Sequence, residues 1–270
     1  MAAPYANTLN PDGTPAPYGR AFYRALGETS EKSARRIVPL LLELVSAASV
    51  VDIGCGVGSW LAAFRDAGVN DVLGLDGPWV DDAALKIPLA NFRRARLDEP
   101  LDLKRRFDLA VCVEVAEHLP AGRAASLVGE LTELAPLVLF SAAVPGQGGT
   151  EHVNEQWPGY WAALFAAHGY RAIDAFRKPL WDDPAVAFWY KQNLLLYADA
   201  ATLAGNPALA GAAAATPEEP IALVHPELYR MMMRRARPRI GRWLKMAPEV
   251  VRRSLTRKTK GCSLTRKTKG

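Results

Sequence analysis

Two carboxylates and an imidazole stand close together in the stretch VEVAEHLP, residues 113–120. Glu114, Glu117 and His118 are spaced i, i+3 and i+4, so a helical turn would place all three on one face. Such a group can bind a divalent metal ion or accept a proton from a substrate. Acidic residues also favour the first turn of any helix, so the same pattern is typical of an ordinary polar helix start. The spacing alone leaves these three interpretations open.

The elements that must position these residues alternate along the chain. Short apolar strands are predicted at SVVDIG, DVLGLD, NFRRARL, FDLAVCV, PLVLFSAA, YRAIDAF and FWYKQNLLLYA, the last of them long. Helices are predicted at SEKSARRIVPLLLELV, GSWLAAFRDAG, AGRAASLVGELTEL and GYWAALFAAHG, with a kink or break at Pro39. This alternation predicts a parallel sheet covered on both faces, a three-layer α/β fold. Only RKPLWDDPAVA joins the last two strands, so we expect them to pair antiparallel.

Composition limits the class of protein. Half of the 270 residues are hydrophobic and 23% are charged, as in a soluble globular protein. The first 20 residues lack the apolar core of a secretory signal, and no apolar run approaches the roughly 20 residues that span a membrane. Three cysteines, widely spread, argue against a disulfide framework and favour a reducing compartment. We therefore expect a cytoplasmic protein.

Charge divides the chain into two parts. Residues 226–270 contain 15 Lys/Arg and 2 Asp/Glu, whereas the other 225 residues contain 18 basic and 26 acidic ones. The acidic part offers no track for phosphates, so nucleic acid is not an expected partner, and any peripheral contact would use the basic tail. The octapeptide SLTRKTKG occurs twice, at 254–261 and 263–270.

These shifts in composition predict four segments along the chain. They are an N-terminal arm over residues 1–29, the α/β domain over 30–200, an Ala/Pro-rich linker over 201–225, and a partly helical tail over 226–270 with a disordered end. The Ala-rich stretch can also be read as a loosely packed helix.

A glycine-rich motif follows the first predicted strand. In VVDIGCGVGSW, Gly54, Gly56 and Gly58 lie between a strand and a helix, where they let the backbone approach a ligand at the helix N-terminus. Asp76 ends the second strand, where a carboxylate can accept hydrogen bonds from both hydroxyls of a ribose. Asp52 precedes the glycines, which disfavours a pyrophosphate and suits a ligand that carries an amino group. The pattern predicts a nucleoside ligand with an amino group.

In this order the motifs resemble those of class I S-adenosylmethionine-dependent methyltransferases. The resemblance runs from about Ser30 to Tyr197 through VVDIGCGVGSW, GLDG and FDLAVCVEVAEHLP, and the later segments resemble a bacterial small-molecule or glycan-type subgroup. It implies a Rossmann-like methyltransferase fold, with a seven-stranded, mostly parallel sheet and an antiparallel last strand. It implies S-adenosylmethionine as cofactor. The residues that it assigns to the cofactor are Asp52, Gly54, Cys55, Gly56, Asp76, Gly77, Leu97, Asp98 and Glu114.

Two of these assignments depart from the family pattern. The family often has an Asp-Leu pair reading the adenine, but here Arg96 stands where that Asp often falls. Leu97 and Asp98 are therefore the candidates for the adenine contact.

The motif E-x-x-E-H with a later histidine, His152, resembles that of small-RNA 2′-O-methyltransferases and partly that of ubiquinone-pathway O-methyltransferases. The resemblance implies Mg²⁺ or Mn²⁺ held by Glu114, Glu117, His118 and His152, with open positions for two substrate oxygens. Without a metal, the candidate catalytic base is His118, followed by Glu117 and His152.

The leading functional prediction is O-methylation of a small molecule or glycan, as in natural-product or polysaccharide biosynthesis. The alternatives are RNA 2′-O-methylation and a non-catalytic cofactor-binding scaffold that docks through its basic tail. Trp157 and Trp181 are candidates for an acceptor pocket wall, and Asn154, Glu155 and Gln156 for hydrogen bonds to a polyhydroxylated acceptor.

Overall fold

One sheet organises the described part of the chain. The computed structural model describes residues 20–236, with side chains from residue 27 onward. Most of the predicted arm and both copies of the octapeptide lie outside the described residues. The strands are β1 (Ser49–Ile53), β2 (Asp71–Asp76), β3 (Phe92–Arg94), β4 (Leu109–Val113), β5 (Leu137–Ser141), β6 (Tyr170–Ile173) and β7 (Leu195–Asp199).

The sheet has the order β3-β2-β1-β4-β5-β7-β6. Strands β1 to β5 run parallel to one another. Strand β7 lies between β5 and β6 and runs antiparallel to both. The residues of β4 and β5 are buried throughout, which explains their continuous apolar sequences, since a parallel sheet covered on both faces exposes neither side. The predicted fold class, a Rossmann-like sheet with an antiparallel last strand, is confirmed.

Helices cover both faces of the sheet. They are α1 (Arg20–Leu44), α2 (Ser59–Asp66), α3 (Ala124–Leu134), α4 (Pro158–Ala166), α5 (Arg177–Leu180), α6 (Phe188–Asn193), α7 (Ala200–Gly205), α8 (Pro207–Ala215) and α9 (Pro226–Ala236). Alternate strand residues enter two separate hydrophobic cores, one packed with α1 and α2 and the other with α3 and α4. This alternation follows from the two-residue period of a strand.

Three segments differ from the sequence predictions. FWYKQN was expected to begin the last strand but forms α6, which buries polar Gln192 and Asn193. Helix α1 begins ten residues before the expected start and continues through Pro39 without a break. The stretch 201–225, predicted as a linker with a loosely packed helix as the alternative, contains most of α7 and all of α8, in which Leu209 is fully buried.

The chain divides into two compact units between His225 and Pro226. The first unit contains the whole sheet. Of the second unit, only α9 is described, and it combines a Met-rich apolar side with several arginines. None of the helices in the described part of the chain is both long and apolar enough to cross a bilayer.

Candidate active site

The loops that follow β1, β2, β4 and β5 meet at the carboxyl edge of the sheet, because these four strands are parallel neighbours. The chain leaves β1 toward one end of the sheet and β4 toward the other, so the strand order reverses between them. Open α/β sheets bind ligands in the crevice at such a point. The glycine motif and the stretch VEVAEHLP flank this crevice.

The glycine loop is built around Asp76. Gly54, Gly56 and Gly58 have φ values of 81°, 54° and 80°, a region that favours glycine. The Asp76 carboxylate accepts hydrogen bonds from the backbone N–H groups of Gly56 at 2.7 Å and Gly77 at 2.6 Å. Asp76 therefore holds the loop in shape, in the place where the sequence predicted a ribose acceptor.

Burial raises the pKa of Asp76, and the two backbone N–H groups partly offset that effect. A third donor is the side chain of Trp79, which also hydrogen-bonds the Asp76 carboxyl. Trp79 is not among the residues predicted from the sequence, and its position three residues after Asp76 is the signal that could have found it.

Asp52 is a buried carboxyl near the end of β1. It is 1% exposed, and its Oδ2 atom has no hydrogen-bond partner among the described residues. Burial, followed by the charge of Asp76, raises its pKa well above the ordinary value. Cys55 and Cys112 are also buried, and burial raises the pKa of both thiols well above the usual range, which does not suit a nucleophile.

The two candidate adenine-contact residues have different surroundings. Leu97 is buried in the core, and its carbonyl oxygen accepts a hydrogen bond from Arg123 Nε at 3.2 Å. Asp98 is exposed and pairs with Arg96, with an Nη2–Oδ2 distance of 2.7 Å. Their assignment to adenine stays a prediction.

Glu117, His118 and His152 converge on one point. One potential ligand atom from each of these side chains lies within 4.8 Å of the other two, and the imidazole rings meet edge to face with centroids 4.7 Å apart. Glu117 is fully buried; its Oε1 atom accepts from Ala143 N–H, whereas Oε2 has no partner among the described residues. The backbone carbonyl of Glu117 accepts from Asn154 N–H at 3.0 Å, which ties the two loops together.

Both of these histidines are oriented by hydrogen bonds. His152 Nδ1 lies 2.9 Å from Glu155 Oε1. The His118 ring hydrogen-bonds backbone groups of Thr150 and Glu151. A carboxylate or carbonyl behind a histidine fixes its tautomer, as is usual for histidines that bind metals.

Strained backbone occurs on both sides of this cluster. Among described non-glycine residues only Glu114 and Glu151 have positive φ, at 55° and 57°. Such conformations cost on the order of 1–3 kcal/mol each and concentrate at functional sites. Here they mark the exit of β4 and the turn before His152.

Burial favours the neutral forms of Glu117 and His118 by shifting their pKa values. It raises the pKa of Glu117 well above its ordinary value, and the neighbouring Glu114 raises it further. Burial, with a contribution from His152, lowers the pKa of His118 to about 4. His118 is therefore an unprotonated imidazole at neutral pH, which is the form that binds metals and a weak acceptor for a substrate proton.

Glu114 lies beside Glu117 but outside the three-residue cluster. Its Oε1 atom accepts from Asn193 Nδ2 at 3.1 Å, and its Oε2 atom from Gln147 Nε2 at 3.0 Å. The structure thus brings together three of the four predicted metal ligands and places Glu114 among amides. Neither Gln147 nor Asn193 was predicted from the sequence as a site residue. Asn193 was expected in a strand, and Gln147 lies in the glycine-rich loop after β5.

The predicted acceptor contacts are largely used within the protein. Glu155 accepts from the N–H groups of Gly146 and Gly148 as well as facing His152. Gln156 Nε2 donates to Asn154 Oδ1 at 3.0 Å. Among these residues only Asn154 keeps a buried donor, Nδ2, without a partner in the described chain.

The two predicted wall tryptophans differ as well. Trp157 is 43% exposed at the start of α4. Trp181 packs against His225, with ring centroids 4.7 Å apart, and the His225 Nε2 atom lies 3.2 Å from the Trp181 carbonyl oxygen. His225 is 5% exposed.

The fold and site define a methyltransferase. A family model described as a methyltransferase domain matches residues 26–169, just over half of the chain. The chain therefore belongs to the methyltransferase-domain family, within the class I S-adenosylmethionine-dependent methyltransferases. A comparison with curated protein sequences gives no significant match.

Solved structures share the fold. DesVI from Streptomyces venezuelae is similar over 67% of this chain and 96% of its own, at 17% identity and a TM-score of 0.51. An O-methyltransferase family protein from Burkholderia thailandensis is similar over 66% of this chain and 59% of its own, at 17% identity and a TM-score of 0.50. At these identities the likeness establishes the fold alone.

Proposed function

We propose that this S-adenosylmethionine-dependent methyltransferase methylates a hydroxyl oxygen of a small molecule or glycan, with a divalent cation held by Glu117, His118 and His152. The observation that carries the proposal is the convergence of these three side chains within 4.8 Å. An oxygen acceptor is favoured because a free hydroxyl needs activation, which a cation provides.

The donor set fits a divalent cation. The cluster offers a buried carboxylate oxygen without a partner among the described residues, and two imidazoles that are oriented by Glu155 and by the backbone. A mixed set of imidazole and carboxylate suits Mn²⁺, and Mg²⁺ would use the carboxylate with water and substrate oxygens. When bound, the ion would supply Lewis acidity that lowers the pKa of a coordinated hydroxyl.

The cofactor loop fits S-adenosylmethionine. A Cβ atom at Gly54 would overlap the Val115 side chain, so only glycine lets the backbone pass there. We assign Asp76 to the ribose, Asp52 and Glu114 to the amino-acid part, and the remaining loop residues to backbone contacts. The cofactor supplies a methyl group activated on a sulfonium. The buried acidic side chains favour a cationic ligand in this crevice.

The chain's own residues would orient the acceptor and remove its proton. Glu117 ionises when a cation or an acceptor compensates its burial, and it then holds the cation near the crevice. If the enzyme works without a metal, His152 is the candidate proton acceptor on the loop after β5, and His118, with its pKa lowered to about 4, is a weak base. Asn154 Nδ2 provides a donor for a second acceptor oxygen.

The metal assignment can be tested by removing the ion. We expect EDTA treatment to abolish methyl transfer and Mn²⁺ or Mg²⁺ to restore it. The variant His152→Ala should weaken Mn²⁺ binding, measured by electron paramagnetic resonance, by about 10- to 100-fold. His168→Ala is a matched control outside the cluster and should leave the Mn²⁺ affinity unchanged. Activity that resists the chelator would contradict the metal role.

The acceptor class can be tested by a methyl-transfer screen. Labelled S-adenosylmethionine would be offered with sugars, phenols, peptides and RNA. We expect transfer to a hydroxyl of a sugar or phenol that carries a second oxygen next to it. Transfer to RNA alone would support the 2′-O-methyltransferase alternative, and the absence of S-adenosylhomocysteine binding by calorimetry would exclude the enzyme.

We also propose a peripheral docking role for the C-terminal tail on an anionic membrane surface. Within α9, Tyr229, Met232 and Met233 are exposed at spacings that share one side of the helix, and basic residues surround them. An amphipathic basic helix of this kind adsorbs to anionic lipid. Exposed apolar side chains favour lipid over nucleic acid, which would need only the charges.

A further inference from the structure

Glu114 is held by contacts at both its backbone and its side chain. Its backbone N–H donates to Ser141 at both the carbonyl oxygen, 3.0 Å, and the hydroxyl oxygen, 3.1 Å. These bonds fix the left-handed conformation at the end of β4. The next residue, Val115, packs directly against Gly54 of the glycine loop. The Glu114 carboxylate is therefore anchored next to the cofactor crevice.

The two carboxylate oxygens of Glu114 are held by uncharged donors. Gln147 Nε2 and Asn193 Nδ2 each donate to a different oxygen, at 3.0 and 3.1 Å. Both amide side chains are buried, with 5% and 4% exposure. A lysine or arginine in their place would neutralise the carboxylate, whereas amides orient it and leave its charge for a ligand.

Further hydrogen bonds set the orientation of both amides. Gln147 Oε1 accepts from Asn193 Nδ2 at 3.0 Å and from Gln192 Nε2 at 3.2 Å, and Gln192 Nε2 also donates to Asn193 Oδ1 at 2.9 Å. Gln192 Oε1 accepts from the backbone N–H of His225 at 2.7 Å. Turning any one amide over would set donor against donor or acceptor against acceptor.

We propose that Gln147 and Asn193 are positioning residues that aim the Glu114 carboxylate at the ammonium group of the cofactor, with Gln192 as their anchor. The proposal rests on the proposed assignment of Glu114 to the amino-acid part of S-adenosylmethionine. Asn193, Gln192 and His225 lie beyond the segment matched by the family model. This chain therefore completes its cofactor crevice with its own C-terminal segment.

Paired ligands separate positioning from general stability. S-adenosylhomocysteine carries the amino-acid part of the cofactor, whereas 5′-methylthioadenosine lacks it and retains the adenosine. Loss of an outer hydrogen-bond partner of a metal ligand lowers affinity by about 10- to 100-fold, and we expect an effect of similar size for the partner of a cofactor ligand. Asn193→Leu and Gln147→Leu should therefore weaken S-adenosylhomocysteine binding by at least about 10-fold and leave 5′-methylthioadenosine binding unchanged.

The experiment is calorimetry of the full-length chain with both ligands. Asn193→Ala removes the donor without adding bulk or charge, so it should show the same selective loss and serves where the leucine variant folds poorly. Asn91→Leu is the matched control, because it removes a side-chain amide bond to the Val72 carbonyl at the opposite edge of the sheet. It should bind both ligands as the wild type does.

The outcomes distinguish a failure of the proposed function from a failure of the positioning role. A wild-type protein that binds neither ligand would overturn the proposed function itself. A wild type that binds both, with position 193 and 147 variants that lose neither ligand or lose both equally, would overturn the positioning role and leave the function standing. Selective loss of S-adenosylhomocysteine supports the role, since a merely structural defect would weaken both ligands alike.

Discussion

Asp52 shows how a single buried carboxyl can favour ligand binding at the expense of stability. It lies in the middle of the sheet with one oxygen unpartnered among the described residues, and a ligand with a donor group or a positive charge would compensate that burial. In the free protein the cost falls on folding, because burial raises the pKa of Asp52 well above its ordinary value. The folded state retains a proton that the unfolded chain releases above a pH of about 3.9.

The first prediction concerns Asp52→Asn, which cannot ionise. As pH rises toward the folded pKa, the unfolded wild type loses its proton first, so the contribution of Asp52 to stability decreases with pH. The variant lacks this decrease. Its free energy of unfolding relative to wild type should therefore rise between pH 5 and pH 8, by up to about 1.4 kcal/mol per pH unit. Urea unfolding at pH 5, 6.5 and 8 measures this difference.

The comparison for this experiment is Asp98→Asn. A hydrogen bond from Arg96 lowers the pKa of Asp98, so its contribution is complete above about pH 5 and should not change toward pH 8. Parallel pH profiles for wild type and Asp52→Asn would mean that Asp52 ionises normally in the folded protein. If the new amide changes the free energy of unfolding by the same amount at every pH, the slope of that free energy against pH is not affected.

At the level of residues, the sequence indicated which side chains lie near one another better than it indicated their hydrogen-bond partners. The types and order of Asp52, Asp76 and Glu117 indicated a cofactor loop and a polar cluster, because chain position at the end of a strand determines where a side chain lies. Glu155 was assigned to the acceptor, yet it faces His152. Which of two neighbouring polar side chains turns inward depends on the turn at Glu151, and no local pattern encodes that turn.

Among the elements, the start of α3 is joined to the predicted adenine loop by one arginine. Arg123 is 8% exposed and donates to the carbonyls of Leu97 and Glu99, at 3.2 and 3.0 Å. It also pairs with Glu130, with an Nη2–Oε2 distance of 2.6 Å. The guanidinium therefore holds the loop that follows β3 against α3.

The second prediction is that Arg123→Met destabilises the protein and loosens the adenine loop. Removing one partner of a buried ion pair leaves the other without compensation, so we expect a loss of about 3 kcal/mol in urea unfolding. Affinities for S-adenosylhomocysteine and 5′-methylthioadenosine should both fall, because both ligands carry adenine. Arg96→Ala removes an exposed pair and should change stability by no more than about 0.5 kcal/mol. Unchanged binding of both ligands by Arg123→Met would remove the loop from the cofactor site.

Some strands and helices could be predicted from the sequence, and others could not. Strands β1, β2, β4 and β5 were predicted because buried parallel strands are short apolar runs bounded by glycines or helical segments. FWYKQN failed because its aromatic residues have high strand propensity, whereas tertiary contacts of Gln192 and Asn193 stabilise a helix there. For the Ala-rich stretch the sequence left a linker and a loosely packed helix open, because alanine shows little periodicity. The structure has helices there, and Asn206 caps α8 while its side chain reaches the Leu44 carbonyl.

For the molecule as a whole, charge and structure divide the chain at nearly the same place. The first compact unit ends at His225, and the acidic part of the sequence ends there too. All residues assigned to the cofactor or the cation belong to the first unit. The basic tail begins at Pro226, so binding chemistry and surface attachment are assigned to separate segments.

The third prediction follows from this division. A chain ending at His225 should bind S-adenosylhomocysteine with the same affinity as the full-length chain, because the N–H of His225 still donates to Gln192. It should lose binding to vesicles that contain phosphatidylglycerol, measured by sedimentation, whereas the full-length chain binds these and not vesicles of phosphatidylcholine alone. In the full-length chain, Met232→Ser combined with Met233→Ser should weaken vesicle binding and leave cofactor binding intact, since both side chains lie on the exposed side of α9.

Retained vesicle binding by the shorter chain would place the membrane contact in the first unit. Binding of the full-length chain to RNA and not to vesicles would show that the tail recognises phosphate charge without lipid.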